Sequence, residues 1–392
     1  MSFQPGPSQN PGLYIHVPFC QATCPYCDFA VTTGGAAAKR AYVVALASEI
    51  DRLAEAPFPH TGFDTVYFGG GTPSSLDSRQ IDSILEHLRA RVSIDADVTV
   101  TLEANPEDVS PERLREWRDL GIDTLSLGVQ AFDSDALQFL GRSHSSGRAT
   151  QSVEWALAAD FRAVSVDLIY GLPQQTTGAW SRDLERVVAL APQHLSCYEL
   201  TIHERTAFGV WKKRGALRPL DSDRAAELFR FTHESLADRG YEGYEVSNFA
   251  RGPMHRSRHN LKYWRRAPYL GLGPSAHSFD GQHRWWNLRA LRHWCSALET
   301  GAAPIEQVEL LSAEEMAIEV LMLGLRTTAG VDLDELDTLV GEDFARRNET
   351  TLARWESAGL ISRAGRRVLP TLAGLAVADG LAAQLRLGPS DL

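Results

Sequence analysis

The sequence is short of cysteine, of long apolar runs and of positive charge, and each shortage removes a class of protein. Five cysteines in 392 residues is an odd number, which argues against a framework of paired disulfides and for metal binding or redox chemistry by free thiols. No stretch approaches the roughly 20 apolar residues of a membrane span, so an integral membrane protein is not expected. With 39 Lys and Arg against 50 Asp and Glu, the formal charge is -11. That argues against a general nucleic-acid binder, because neutralising phosphates takes a basic face. The opening dozen residues, MSFQPGPSQNPG, show neither the basic stretch nor the apolar core of a targeting signal. They read as a flexible tail over residues 1–12, and a cytoplasmic protein is expected.

What is present is a period. A first apolar run at YIHV is followed by TVYFGGG, VTVTLEAN, TLSLGVQ, AVSVDLIYGL and HLSCYELT, interleaved with helix-patterned segments such as AYVVALASEIDRLAEA and PERLREWRDLG. Strands spaced about 30 residues apart read as βαβ units with right-handed crossovers and a parallel sheet. The predicted fold class is therefore α/β, a partial (β/α)6 barrel over residues 13–250. Reactive groups in such barrels collect where each strand passes into its loop. Here cysteines follow the first strand, glycines the second, Glu103 the third and Gln130 the fourth, while Asp167 lies within the fifth. Gly, Pro, His and aromatic residues then break the alternation, which predicts an irregular segment over 251–303 closing one mouth of the barrel. From 304 to 392 the pattern turns helical and ends as strand, basic turn, strand and helix, the order of a winged-helix-like domain.

The stretch YIHVPFCQATCPYCDFA carries three of the five cysteines, Cys20, Cys24 and Cys27, spaced C-x3-C-x2-C. Thiolates select zinc, copper(I) or iron-sulfur clusters. A structural zinc site needs a fourth ligand at a paired spacing. Cys197 and Cys295 are isolated and read as core thiols. Three cysteines on one loop can instead hold three irons of a 4Fe-4S cluster and leave the fourth open to a ligand that is not protein.

With Tyr26 before its last cysteine, this motif resembles the signature of the radical S-adenosylmethionine (SAM) enzymes. The resemblance implies that SAM chelates the open iron and that the cofactor supplies the radical chemistry. Read physically, the glycines of GGGTPS let backbone approach the amino-acid end of a ligand. The planar fork of Arg142 suits a carboxylate, and Glu103, Gln130 and Asp167 can bond ribose hydroxyls or an amine.

The blocks YIHVPFC, GGGTPS, LEANPE, LGVQAF, LGRSH, DLIYGLPQQ, YEVSNFA, HNLKYW and GLGPSAHS are similar, in order, to the coproporphyrinogen-oxidase-like branch of that superfamily. The resemblance extends the SAM contacts to Tyr14, Tyr26, Gly70, Gly71, Thr72, Glu103, Gln130, Arg142 and Asp167. The oxidases of this branch carry a further cysteine where this chain has Phe29, and a longer N-terminal segment, so oxidase activity is not expected. HNLKYW, His259 to Trp264, resembles instead the H-N-x-x-Y-W block of HemW-type haem chaperones, although IHERTAF departs from their usual Glu-Pro-Gly-Thr. That resemblance implies haem as ligand, with His259 as its candidate ligand, and acceptor haem proteins such as respiratory enzymes as partners. Five histidines and four tryptophans between 255 and 294, interleaved with arginines, suit a macrocycle with propionates. Peripheral membrane association and a homodimer stay open. So do two rivals, a true oxidase or methyltransferase of the same branch, and a redox-sensing regulator reading nucleic acid through Arg363, Arg366 and Arg367.

Overall fold

The computed structural model describes residues 10–53, 58, 60 and 62–387. Six strands, β1 (Gly12–Val17), β2 (Phe63–Gly70), β3 (Ile94–Ala104), β4 (Thr124–Gln130), β5 (Ala163–Tyr170) and β6 (His194–Glu199), stand side by side in sequence order. Each is parallel to the next. Between them run α1 (Ala36–Arg52), α2 (Ser78–Arg91), α3 (Pro111–Asp119), α4 (Ser134–Phe139), α5 (Ser146–Ala158) and α6 (Thr177–Leu190). This is the α/β, partial (β/α)6 architecture that the period predicts. The strands are buried on both faces, which is why β1 and β5 read as continuous apolar runs. Helix starts are marked by side chains that accept from free backbone N–H groups: Asp77 for α2, Ser110 for α3, Asp133 for α4, Ser145 for α5 and Thr176 for α6.

Two expectations need correction. Residues 1–9 of the predicted tail lie outside the described residues, but its last residue, Gly12, already belongs to β1 and pairs with both Thr65 and Tyr269. The segment 251–303 is not irregular. It holds the helix Arg258–Trp264, the strands Tyr269–Leu272, His277–Phe279 and His283–Asn287, and the helix Leu291–Glu299. Tyr269–Leu272 runs parallel to β1 on the side away from β2, and the two short strands after it add antiparallel. Strands of three to five residues separated by glycine turns carry too little periodicity to be read from sequence. The chain also divides differently from the predicted boundaries: one compact unit comprises the residues up to Leu220 with Ala267–Glu309, the other Asp221–Arg266 with Leu310–Leu392.

Within the second unit, helix Ala313–Gly324, strand Val331–Asp332, helices Leu333–Val340 and Phe344–Ser357, and strands Ile361–Ala364 and Arg367–Pro370 follow one another. Arg367–Pro370 is the central strand of their small antiparallel sheet. That is a winged-helix order. The arginines of its turn are engaged with acids: Arg363 with Glu349 and Glu356 at 2.9 Å, Arg366 with Asp334 at 2.7 Å, and Arg367 with Asp332 at 3.2 Å. Charge spent in this way is not offered to phosphates, which weighs against the regulator reading.

A buried carboxylate ties α1 to the added strands. Glu49 accepts from the Gly273 N–H at 2.7 Å and from the Asn287 amide at 2.5 Å. Burial pushes its pKa up to about 7, even though those two donors favour the charged form. Its protonated form is therefore favoured by folding. The resulting stability is full below the unfolded-state pKa near 4.5 and is lost as pH rises through about 7. Glu49→Gln, which keeps one of the two accepting oxygens and removes the titration, should flatten this contribution, on the order of 3 kcal/mol at about 1.4 kcal/mol per pKa unit. Urea unfolding of both proteins between pH 5 and 8 checks it: an identical pH dependence would show that Glu49 does not titrate in this range.

Candidate functional site

The chain leaving β1 makes a loop clasped at its base, where Cys20 N–H donates to Thr32 O at 3.0 Å and Thr32 N–H donates to Pro18 O at 2.7 Å. Within it the Cys27 N–H bonds the Cys24 carbonyl at 3.1 Å. From below, His16 Nε2 meets the Ala30 carbonyl at 2.9 Å. Cys20, Cys24 and Cys27 are free thiols, each partly exposed. All three open onto one cavity of about 690 Å³ at the C-terminal ends of the strands.

The same cavity gathers eight further residues that the sequence or the resemblance singled out, together with Phe29. Tyr26 and Phe29 come from the loop itself, Gly70, Gly71 and Thr72 from the end of β2, Glu103 from β3, Gln130 from β4, Arg142 from the turn after α4 and Asp167 from β5. His203 also reaches it. Tyr14 is placed otherwise. It stacks on Tyr67 with ring centroids 6.2 Å apart and does not line the cavity, whereas Tyr67 donates to Glu103 at 2.8 Å.

The glycines have a second reason besides ligand approach. A Cβ on Gly71 would stand 2.9 Å from the Val17 and Phe19 carbonyl oxygens, and one on Gly70, whose φ is +107°, 2.5 Å from the His16 ring. They are small so that the end of β2 can press against the chain leaving β1. Gln130 closes β4 in the left-handed region, at φ +69°. Such backbone is costly for a residue with a side chain and collects at functional sites.

Burial sets the electrostatics. It raises Glu103 to about 7 despite bonds from the Tyr67 hydroxyl and the Gly70 N–H. It raises Asp167 to about 6, against the hydroxyl of Ser126 at 3.1 Å from both carboxylate oxygens. The Cys20 and Cys27 thiols are also pushed up by burial. Glu107 goes the other way: against burial, His144 and Ser143 hold it down to about 2.

Asn105, which the sequence reading did not single out, joins these groups. Its carbonyl oxygen accepts from Arg142 Nη2 at 2.6 Å, and its amide donates to Thr72 Oγ1 at 3.2 Å. Arg142 Nη1 in turn points at Cys24 Sγ, and the Thr72 hydroxyl at Cys20 Sγ, each at 3.5 Å. Arg142 Nε is buried with no partner, a donor left for something that enters the cavity. The signal for Asn105 was only its place just after a strand end.

Three thiols, a half-buried guanidinium and two carboxylates titrating near neutrality can take a soft metal centre together with a cationic ligand that carries its own carboxylate. Among the described residues no group of three His, Cys, Asp or Glu side chains is drawn together tightly enough for a single ion. A cluster several ångströms across takes its thiolates from wider spacing.

Comparison with known proteins agrees with this geometry. Residues 14–187 match the family model of the Radical SAM superfamily, and residues 311–377 that of the HemN C-terminal domain. The heme chaperone HemW of Mycobacterium tuberculosis (strain H37Rv) is 35% identical over 96% of this chain and 95% of its own length. The chain belongs to the HemW family of radical SAM proteins. The HemW of Escherichia coli K12 is 37% identical over 68% of this chain and 69% of its own. The mitochondrial radical S-adenosyl methionine domain-containing protein 1 of Bos taurus is 36% identical over 83% and 75%. Among solved structures, the coproporphyrinogen III oxidase HemN of Escherichia coli superposes with a TM-score of 0.81, covering 96% of this chain and 90% of that one, at 22% identity. At that identity the likeness establishes the fold, a radical SAM partial barrel with a HemN-type C-terminal domain.

The histidines and tryptophans of residues 255–294 are divided between the two compact units. His255, His259 and Trp264 belong to the second compact unit, and His277, His283, His293, Trp285, Trp286 and Trp294 to the first. Trp294 is fully buried against Tyr42, His283 bonds Asp280 at 3.0 Å, and His277 stacks on Trp286. His259, on the helix Arg258–Trp264, is only 3% exposed. Its Nε2 lies 2.8 Å from the Tyr263 hydroxyl, and burial pushes its pKa down to about 3. It is a neutral, bonded core imidazole.

The Asn105 hub is testable without any cofactor. Hydrogen bonds to charged groups are worth about 1.5–3 kcal/mol, so Asn105→Ala should lower stability by about that amount, while Asn105→Asp, which keeps an acceptor facing Arg142, should recover most of it. Urea midpoints decide, and an unshifted midpoint in the Ala variant would remove Asn105 from the network.

Proposed function

We propose that this chain is a haem chaperone, holding a 4Fe-4S cluster through Cys20, Cys24 and Cys27 and SAM in the adjoining cavity, and passing haem to acceptor haem proteins. The observation that carries it is the convergence of the three thiols with Gly70, Gly71, Thr72, Glu103, Gln130, Arg142 and Asp167 on one cavity, in a chain 35% identical to a heme chaperone over nearly its full length. When bound, the cluster supplies the electron that radical SAM chemistry needs.

The chain's own residues then have these roles. Arg142 would offer its unpartnered Nε to the carboxylate of SAM, while Asn105 and the Gly128 carbonyl, at 3.1 Å, hold the other side of its fork. The Gly70–Thr72 backbone, which lines the cavity, would receive the amino-acid end. Glu103 and Asp167, ionising near neutrality, favour a cationic ligand, and their charge is completed when it arrives. Gln130 is held toward the same space by its left-handed backbone. Phe29, 69% exposed at the cavity, stands where the oxidases have a further cysteine, which supports a binding role over coproporphyrinogen oxidation. Among the described residues no helix is long and apolar enough to cross a membrane.

Two measurements test the reading. In anaerobically reconstituted protein, replacing the three cysteines together by Ala should abolish bound iron. Arg142→Ala and Asp167→Asn should keep the iron and weaken SAM binding roughly ten-fold, the value of a lost charge-assisted bond. A full iron complement in the triple variant, or unchanged SAM affinity in both single variants, would displace the site.

The second measurement is haem titration. We keep His259 as the candidate iron ligand, which requires the Tyr263 bond to open. Tyr263→Phe should then tighten haem binding and His259→Ala weaken it about ten-fold or more. Equal affinities in wild type and both variants would exclude His259, and absence of haem binding by wild type would overturn the chaperone assignment.

A further inference from the structure

Beside the cysteine loop lies a surface that the cavity does not use. The helix Ala207–Lys213 buries Phe208 completely, and the Phe208 N–H donates to the Pro25 carbonyl of the loop at 2.9 Å. Gly209 lets the helix press on the turn before it, since a Cβ there would stand 2.2 Å from the His203 oxygen. The other face of the helix is open: Val210 is 40% and Trp211 41% exposed. Around them Arg205, Lys212, Lys213, Arg214 and Arg218 are all exposed. Among the described residues none of these five cations has an ion-pair partner. Between 204 and 218 the only acid is Glu204, so the segment carries a net charge of +4 in a chain whose total is -11.

A chain of rings joins this surface to the thiols. Trp211 lies 5.4 Å from Phe208, and Phe208 lies 6.4 Å from Tyr26, the residue before Cys27. The exposed indole is thus two ring contacts from the cysteine loop. Charge of this sign on an otherwise acidic protein steers an acidic partner, and an exposed Trp among cations is the kind of anchor that interfaces favour.

We propose that this face is the docking surface for a small acidic one-electron carrier of the flavodoxin or ferredoxin type, which reduces the cluster. In the step one electron leaves the carrier's reduced flavin or iron-sulfur centre, which is oxidised, and enters the cluster, taking it from the 2+ to the 1+ state. No bond is made or broken. The proposal rests on the cluster reading above. The docking surface separates from that reading because a small-molecule reductant needs no docking.

The test compares cluster-loaded wild type with the Lys212→Glu, Lys213→Glu, Arg214→Glu variant, reduced either by purified reduced flavodoxin or by dithionite and followed by bleaching of the cluster's visible absorption. At low ionic strength the flavodoxin rate should fall about ten- to a hundred-fold in the variant, in the range that electrostatic steering commands, while the dithionite rate stays the same. Flavodoxin binding to cluster-free protein, read by calorimetry, should be lost in parallel. For wild type, raising the salt should slow flavodoxin reduction alone. Equal flavodoxin rates in the two proteins, or a wild-type rate indifferent to salt, would overturn the proposal. So would tight binding of wild type to vesicles of anionic phosphatidylglycerol with none to flavodoxin, which would make the face a membrane contact. If neither reductant bleached wild type, the fault would lie with the cluster reading, and the docking proposal would fall with it.

Discussion

The arrangement at the strand ends depends on how closely the end of β2 approaches the chain leaving β1. Gly71 N–H donates to the Val17 carbonyl at 2.8 Å, and there is no room for a Cβ on that residue or on Gly70. This contact turns the chain at Pro18 and lays the loop of Cys20, Cys24 and Cys27 over the strand ends instead of letting it run outward. The clasp at Thr32 and the bond from His16 to Ala30 then fix the loop's far side. A βα repeat would form without these glycines. The three thiols would not be brought to the edge of the cavity.

The second constraint is electrostatic. Two carboxylates and a guanidinium are half-buried at one cavity, and taking charge out of water is costly unless partners compensate. Arg142 is compensated by Asn105 and the Gly128 carbonyl. Glu103 and Asp167 are compensated only in part, by hydroxyls and one N–H, so their pKa values sit at about 7 and about 6. A cationic ligand would complete the balance and draw their protons off, so binding and proton release are linked. An apolar cavity could not discriminate in this way.

Much of this was legible in sequence because it follows local rules. The βα period, the cysteine spacing and the polar residues at strand ends each have a short-range signature, and eight residues so marked share the cavity with the cysteines. What was not legible is what depends on contacts between distant segments. Glu49 reads as one acid on a helix face, yet Gly273 and Asn287, more than 200 residues away, make it a buried link. Asn105 reads as a turn residue, yet it connects Arg142 to Thr72. The short strands of 269–287 escaped because three to five residues hold barely one period of alternation, and the glycines that suggested irregularity are there to let His277 lie against Gly271.

The His and Trp cluster teaches the sharpest lesson, because adjacency in sequence was its only support. Between 255 and 294 the chain passes from one compact unit to the other at Arg266–Ala267, so residues a few places apart serve different cores. Trp294 is consumed by packing under α1, and His259 by its bond to Tyr263. A buried imidazole that already has its partner must break that bond before it can ligate iron, whereas one that faces water, like His277 stacked on Trp286, gives up only hydration. Composition can therefore show that a segment holds the chemistry for haem, but only the distribution of those residues between buried and open positions decides which imidazole is free to supply it.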